Sequence, residues 1–307
     1  MPGESSATMR YITEILDSNR SLSSSKLISL SNLNSEEMEF LAKVWLDIDL
    51  ERRREIISQL VHLSQTDFKL DFSGVFVLSL RDPDEAIRTK AAIGLEAEDN
   101  YLLIKPLIKA LKEDISDKVR TAVAISLGHF ALQGELGNLS GHYCEKVYNA
   151  LLEVLDNNNE SIELKRRTLE SIAPFSVPRV KELIEEAYQG DNVKLKASAI
   201  FAMGRNCDLA WLPTILTELK NVEAEIRYEA AGACGELGTE EAVPHLLEMV
   251  TDRDQRVKEA AIKALGEIGN EPAKQALIKL AKNPEPVIRD AAEAALKEIQ
   301  YCESPLP

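Results

Sequence analysis

The chain has 307 residues, 36 of them Lys or Arg and 51 Asp or Glu, for a net charge of −15. Nucleic-acid phosphates are held by Lys/Arg-rich faces, so this balance argues against a nucleic-acid partner. No apolar run of roughly 18 residues could cross a bilayer, no signal peptide is expected, and the four cysteines (Cys144, Cys207, Cys234, Cys302) show no CxxC spacing; the expected setting is cytoplasmic, with no membrane partner.

Residues 1–26 are polar and serine-rich and read as a flexible segment. Within them Met9, Tyr11, Ile12, Ile15 and Leu16 form a helical stripe too short to be stable alone. Residues 27–70 read as a helical cap. One helix is predicted from Asn34, which has capping-box spacing to Glu37, and carries Met38, Leu41 and Trp45. A second runs from about Leu50 to Ser64 with Ile56, Ile57, Leu60 and Leu63. Its Arg52, Arg53 and Arg54 are expected on a solvated face beside Glu51 and Glu55. Neither helix follows the pattern that comes next, and a cap is what the apolar end of a stack requires.

From 71 to 301 a single pattern recurs. An aliphatic residue followed by a base stands at Ile87-Arg88, Val119-Arg120, Leu164-Lys165, Leu195-Lys196, Ile226-Arg227, Val257-Lys258 and Ile288-Arg289. Successive anchors are 32, 45, 31, 31, 31 and 31 residues apart, the regularity of a repeat array. Five residues before each anchor stand Asp82, Asp114, Asn159, Gly190, Asn221, Asp252 and Asn283. Asp and Asn there are expected to cap a new helix, with Pro83 and Pro284 at its first position.

Counting each anchor as position 0, position 4 is Ala, Val or Thr, position 7 holds only Gly, Ser or Ala, and position 8 holds larger residues such as Leu95, Met203 and Leu265. Positions 0, 4, 7, 8 and 11 share one face of a helix. Glu98 and Asn206 occupy position 11 in two repeats, where an apolar residue is expected. A shorter helix precedes each of these, as at Pro106–Lys112, Trp211–Leu219, Val243–Val250 and Ala273–Ala281. Two antiparallel helices per roughly 31 residues, stacked on their neighbours, make an all-α fold, an α-solenoid. The long interval holds extra residues mostly in Gly134–Tyr143, which reads as an exposed loop. Residues 302–307 read as a tail.

The form D-x-D-x-x-V-[RK]-x-x-A-A-x-A-L-G-x-[IL]-G, complete in Asp252–Gly269, resembles the short HEAT repeat, of the subtype also found in phycobilin-lyase-like proteins. The resemblance covers about Phe72 to Tyr301 and implies about seven HEAT-like helix pairs behind the N-terminal cap. It also implies that the second helices line a concave face and that the base after each anchor joins a ladder along the stack.

Catalytic chemistry is not evident. The four histidines are followed by Leu63, Phe130, Tyr143 and Leu246, so no His-Glu pair exists. A metal, a cofactor and a small-molecule ligand are therefore not expected. Positions 2, 6 and 9 point away from the apolar stripe. Ile93, Thr121, Ile125, Arg166, Phe201 and Tyr228, with His129 and Arg205 at the edge, give the middle repeats an apolar, aromatic and basic surface suited to an interface. There Arg166 would meet an acidic or C-terminal group. The expected function is a non-catalytic scaffold or adaptor that binds another protein or peptide; the alternative is a phycobilin-lyase-like or other small-molecule-handling HEAT-repeat enzyme.

Overall fold

A computed structural model describes residues 7–17 and 21–303, so expectations for 1–6, 18–20 and 304–307 lie outside the described residues. The described residues form α-helices joined by short turns, with no strand. Two compact units divide the chain after Leu164. The first contains α1 (Ala7–Leu16), α2 (Ser24–Leu27), α3 (Ser35–Val44), α4 (Leu50–Thr66), α5 (Ser73–Ser79), α6 (Glu85–Gly94), α7 (Ile104–Glu113), α8 (Asp117–Glu135) and α9 (Gly141–Asp156). The division falls inside α10 (Ile162–Ile172). The second unit continues with α11 (Pro178–Gln189), α12 (Val193–Asn206), α13 (Leu212–Glu218), α14 (Ala224–Leu237), α15 (Val243–Met249), α16 (Gln255–Ile268), α17 (Glu271–Leu280) and α18 (Pro286–Glu303).

Each even-numbered helix from α4 carries a layer. In the first unit α4 packs on α6 and α6 on α8; in the second, α12, α14, α16 and α18 pack each on the next. The odd-numbered helices α5, α7, α11, α13, α15 and α17 pack against their following partners. This is a helical solenoid fold of repeated pairs. The apolar stripe faces inward as its period requires: Ile87, Val119, Leu164, Ile226, Val257 and Ile288 are buried, as are Ala91, Val123, Ala230, Ala261 and Ala292 four residues on.

Arginines join the layers in a recurrent geometry. Arg227 Nη1 donates to the Asn221 and Val222 carbonyls of its own turn (2.8 and 3.1 Å), while Nε and Nη2 reach Asp252 of the next repeat (2.7 and 2.8 Å). Arg88 does the same with the Asp82 and Pro83 carbonyls and with Asp114. Asp252 Oδ1 also accepts from Asp254 N, and Asp114 Oδ1 from Ser116 N, both at 2.8 Å. One carboxylate therefore closes its own turn and holds the previous helix. The Arg227 guanidinium keeps the Asp252 carboxyl below the usual aspartate range.

Where that aspartate is missing, another acid replaces it. Arg120 pairs with Glu160 through two bonds of 2.7 Å. Lys196 lies 2.9 Å from Glu218 and over the Tyr188 ring, while Asn221 Nδ2 and Tyr188 Oη both donate to Glu218. Burial opposes these contacts, yet the Glu218 carboxyl sits below the ordinary glutamate range.

The residue five before the anchor makes a turn but is not the helix cap. The cap lies two residues later: Asp84, Ser116, Asn192 and Asp254 each accept a first-turn N–H. Pro83 accordingly lies in the turn, outside α6, and Pro284 outside α18.

Position 9 also differs from the sequence expectation. A Cβ on Gly204 would come 2.7 Å from Ala233 Cα, one on Gly235 2.9 Å from Ala264 Cα, and one on Gly266 2.9 Å from Ala295 Cβ. These glycines face the small position-7 residue of the next layer, and they let the two helix backbones close up.

Helices α3 and α4 extend the array, α3 against α5 and α4 against α6. Asn34 and Glu37 form the capping box. Arg52 and Arg53 are buried, correcting the expectation of a solvated face. Arg53 donates to the Ile48 carbonyl at 2.5 Å and its Nε lies 2.9 Å from Asp82 Oδ2, which also accepts from Trp45 Nε1 at 2.8 Å. Because Arg53 reaches the turn aspartate of the first repeat, α4 supplies the base of an earlier rung. Within the stretch read as flexible, α1 buries Ile12 and Ile15, and Arg52 Nε donates to the Ile15 carbonyl at 2.8 Å.

The long interval lengthens helices instead of forming a long loop. α8 runs for 19 residues to Glu135, and α9 begins at Gly141, so only a short turn, with Gly137 at φ 77°, separates them. Asn206 is buried because its amide is satisfied: Nδ2 donates to the Ala173 and Phe175 carbonyls, and Oδ1 accepts from Trp211.

Two stability outcomes follow from these contacts. Asp252→Ala leaves the nearly buried Arg227 without its carboxylate and should cost about 3–5 kcal/mol by urea denaturation; a loss below about 1 kcal/mol would show that the rung is not holding the layers. Cys207 occupies the left-handed region at φ 55°, where the next two repeats place Gly238 and Gly269. Cys207→Gly should therefore raise stability by about 0.5–1 kcal/mol in the same assay, and a decrease would mean the thiol contributes packing that outweighs the strain.

Candidate functional site

The even-numbered helices turn most of their position 2 and 6 side chains outward, with Ala197 a buried exception, and the side chains there differ from repeat to repeat. Four of the expected binding residues belong to the first unit: Ile93 on α6, with Thr121, Ile125 and His129 on α8. Ile93 is exposed, whereas Thr121 and Ile125 are half-buried. His129 Nε2 lies 2.7 Å from Asp99 Oδ1, and its ring meets Phe130 edge-on. Nearby, burial and the charges of Asp71 and Asp99 push the Glu98 carboxyl up.

The other four, Arg166, Phe201, Arg205 and Tyr228, belong to the second unit. Phe201 on α12 and Tyr228 on α14 are exposed, at 36% and 43%. Arg205 pairs with Glu236 at 3.3 Å. Arg166 is not the outward cation the sequence suggests. Its side chain is only 11% exposed, its Nε donates to Ser198 Oγ at 3.0 Å, and its Nη2 lies 3.7 Å from Glu225.

Arg166 belongs to a charged cluster. Ser198 Oγ donates to Glu170 Oε1 at 2.6 Å, and Arg167 Nη1 donates to Glu170 Oε2 at 2.8 Å. Glu229 stands near these groups, half-buried. Burial, then the charges of Glu170 and Glu225, push its carboxyl up to about 7 against the opposing pull of Arg166 and Arg167.

A groove of about 670 Å³ follows on α14, α16 and α18, with Tyr228 in its wall and Ala260, Ala291, Ala294 and Ala295 on its floor. Sequence reasoning passed over this place because the last repeats offer charge and alanine where the middle ones offer Phe or Ile. The signal was present in the small residues Ala260, Ala291, Ala294 and Ala295 of the last two repeats, which leave the helix faces open.

Among the described residues no group of three or more His, Cys, Asp or Glu side chains could hold a metal. Among the same residues, no helix is long and apolar enough to cross a membrane. Cys234 is buried, and desolvation pushes its thiol up to about 12, which suits a small core residue over a nucleophile.

Layered helix pairs and a 31-residue period define a helical-repeat protein. The family profile described as HEAT repeats matches residues 180–255 and 212–297, so HEAT repeats are present in that part of the chain. No curated protein sequence matches it. Among solved structures, the chain is similar to the complex of CpcE and CpcF of phycocyanin lyase from Nostoc sp. PCC7120, at 17% identity and a TM-score of 0.56, over 85% of this chain and 96% of that one. It is also similar to yeast importin-beta (Kap95p), at 15% identity and a TM-score of 0.50, over 95% of this chain but 40% of that one. Human deoxyhypusine hydroxylase in complex with glycerol aligns over 87% of this chain and 96% of that one at 18% identity, with a TM-score of 0.37 too low to bear on the fold. The lyase match corrects one expectation. The chain was expected not to be an enzyme, yet its fold is one that a lyase also carries, so the fold gives no ground for excluding catalysis.

The raised Glu229 carboxyl makes stability depend on pH. Its folded value of about 7 exceeds the ordinary 4.5, so the folded state holds the proton more tightly. That contribution is complete below pH 4.5 and is lost as pH rises through 7. Glu229→Gln should therefore gain about 1–3 kcal/mol on the native protein between pH 5 and pH 8 in urea titrations. A difference that does not change with pH would rule out Glu229 as the group that takes the proton.

Proposed function

We propose that this protein binds another protein or peptide on the outward face of its second helices. Phe201 and Tyr228 are the anchors, with Arg166 and Arg205 supporting them in the second unit; Ile93, Thr121, Ile125 and His129 offer a corresponding surface in the first. The observation that carries the reading is the exposure of Phe201 and Tyr228 on helices whose other large apolar side chains are mostly buried. Apolar area left in water forgoes roughly 25 cal/mol per Å², which a partner recovers, and aromatic residues are typical interface anchors. The engaged Arg166 acts here by holding Ser198 and Glu225 in place. A cytoplasmic setting suits Cys144, Cys207 and Cys234, which are free thiols. This reading holds whether or not the chain also takes part in catalysis.

The test is a crosslinking pulldown from the native cell with wild-type protein and with Phe201→Ala/Tyr228→Ala. The double variant should lose at least about tenfold in partner recovery with its melting temperature nearly unchanged. Destabilisation by several kcal/mol would make the pair core residues, and undiminished recovery would show that this face is not the one in use.

A further inference from the structure

The groove on α14, α16 and α18 has a definite charge character. Two of its lining cations already have carboxylate partners: Arg256 with Asp254 at 3.1 Å and Lys263 with Glu267 at 3.1 Å. Two of its carboxylates have none. Glu259 accepts only from the neutral Gln255 amide, and neither Glu259 nor Glu298 has an ion-pair partner among the described residues. An apolar floor bordered by unpaired carboxylates selects a ligand that is cationic at its edges and small or apolar at its centre.

Its dimensions point to a peptide. Neighbouring packed helices lie about 8–10 Å apart, so three of them offer a path of roughly 20 Å, the length of about six residues in extended form. Glu259 and Glu298 occupy positions 2 and 10 of their helices, about 12 Å apart along the helix direction. They therefore flank the alanine floor from opposite ends. An extended chain sends alternate side chains to opposite sides, so neighbouring basic residues can reach both. The groove is open to solvent and is not an enclosed cavity, which suits a chain that enters and leaves it.

We propose that this groove receives an extended basic segment of a partner protein, with lysine or arginine side chains on Glu259 and Glu298 and a small or apolar residue on Ala291 and Ala294 beside the Tyr228 ring. The proposal rests on the protein-binding reading above and assigns the chemistry of the partner. It also shifts the centre of binding from the middle repeats toward the C-terminal ones.

The test uses the full chain and a short labelled peptide of alternating lysine and alanine pairs, with a counterpart carrying glutamate in place of lysine. Fluorescence anisotropy should show binding of the lysine peptide alone, weakening as salt is raised. Glu259→Lys/Glu298→Lys should weaken it at least about tenfold. Ala294→Trp, which fills the floor from an exposed position, should weaken it comparably. Thermal melts establish that both variants are folded; should the charge reversal unfold, Glu259→Gln/Glu298→Gln replaces it with the same expected direction. Equal binding of the two peptides, no binding of the lysine peptide, or indifference to the groove variants would each overturn the proposal. Native partner recovery lost with Phe201→Ala/Tyr228→Ala but retained by the groove variants would leave the protein-binding face standing and reject the basic segment.

Discussion

The rung between a guanidinium and the turn aspartate of the following layer is the contact on which the array depends. Stacked helix pairs could slide or rotate on an apolar face made of Ala, Val and Leu, because apolar burial has no direction. Arg88 and Arg227 remove that freedom. Each is anchored to carbonyls of its own turn and to a carboxylate of the next repeat through two parallel bonds. The aspartate has already bonded to its own backbone, so the rung fixes turn, helix and neighbour together. Substitutes such as Glu160 and Glu218 show that the demand is for a carboxylate at that place in space, not at one place in the sequence.

With the layers held, glycine sets their separation. Gly204, Gly235 and Gly266 bring successive helices close, and much of the opposite side is left with little packing duty. That division of labour leaves positions 2 and 6 open to vary. Phe201, Tyr228, Gly232 and Ala294 all lie on this unconstrained face, so one regular scaffold can present an aromatic pair in one place and an alanine-floored groove in another. The fold is shared with proteins of quite different work, and what distinguishes this chain is the side-chain pattern on that face.

Polar groups at the border of the two faces carry the cost of the arrangement. Arg166 and Arg167 are shared among Ser198, Glu170 and Glu225, which leaves Glu229 as the carboxylate least well compensated. Its proton affinity near neutrality follows first from burial, with the charges of Glu170 and Glu225 added against the pull of Arg166 and Arg167.

The sequence by itself determined the repeat, its period and the inward stripe, because each rests on local spacing along a helix; the base ladder was implied only by the resemblance to HEAT repeats. It also marked Phe201 and Tyr228 as outward, since helical phase alone places them. Other features required the tertiary structure. Arg53 belongs to the ladder only because α4 packs on α6 and brings it to Asp82, a partner distant in the sequence. Arg166 is spent on Ser198 and Glu225, which lie on the two following second helices, so helical phase could show its direction but not its occupation. The groove emerged for a related reason: alanine is silent in a one-dimensional pattern, and the space that Ala260, Ala291, Ala294 and Ala295 leave becomes visible only when neighbouring helices stand beside it.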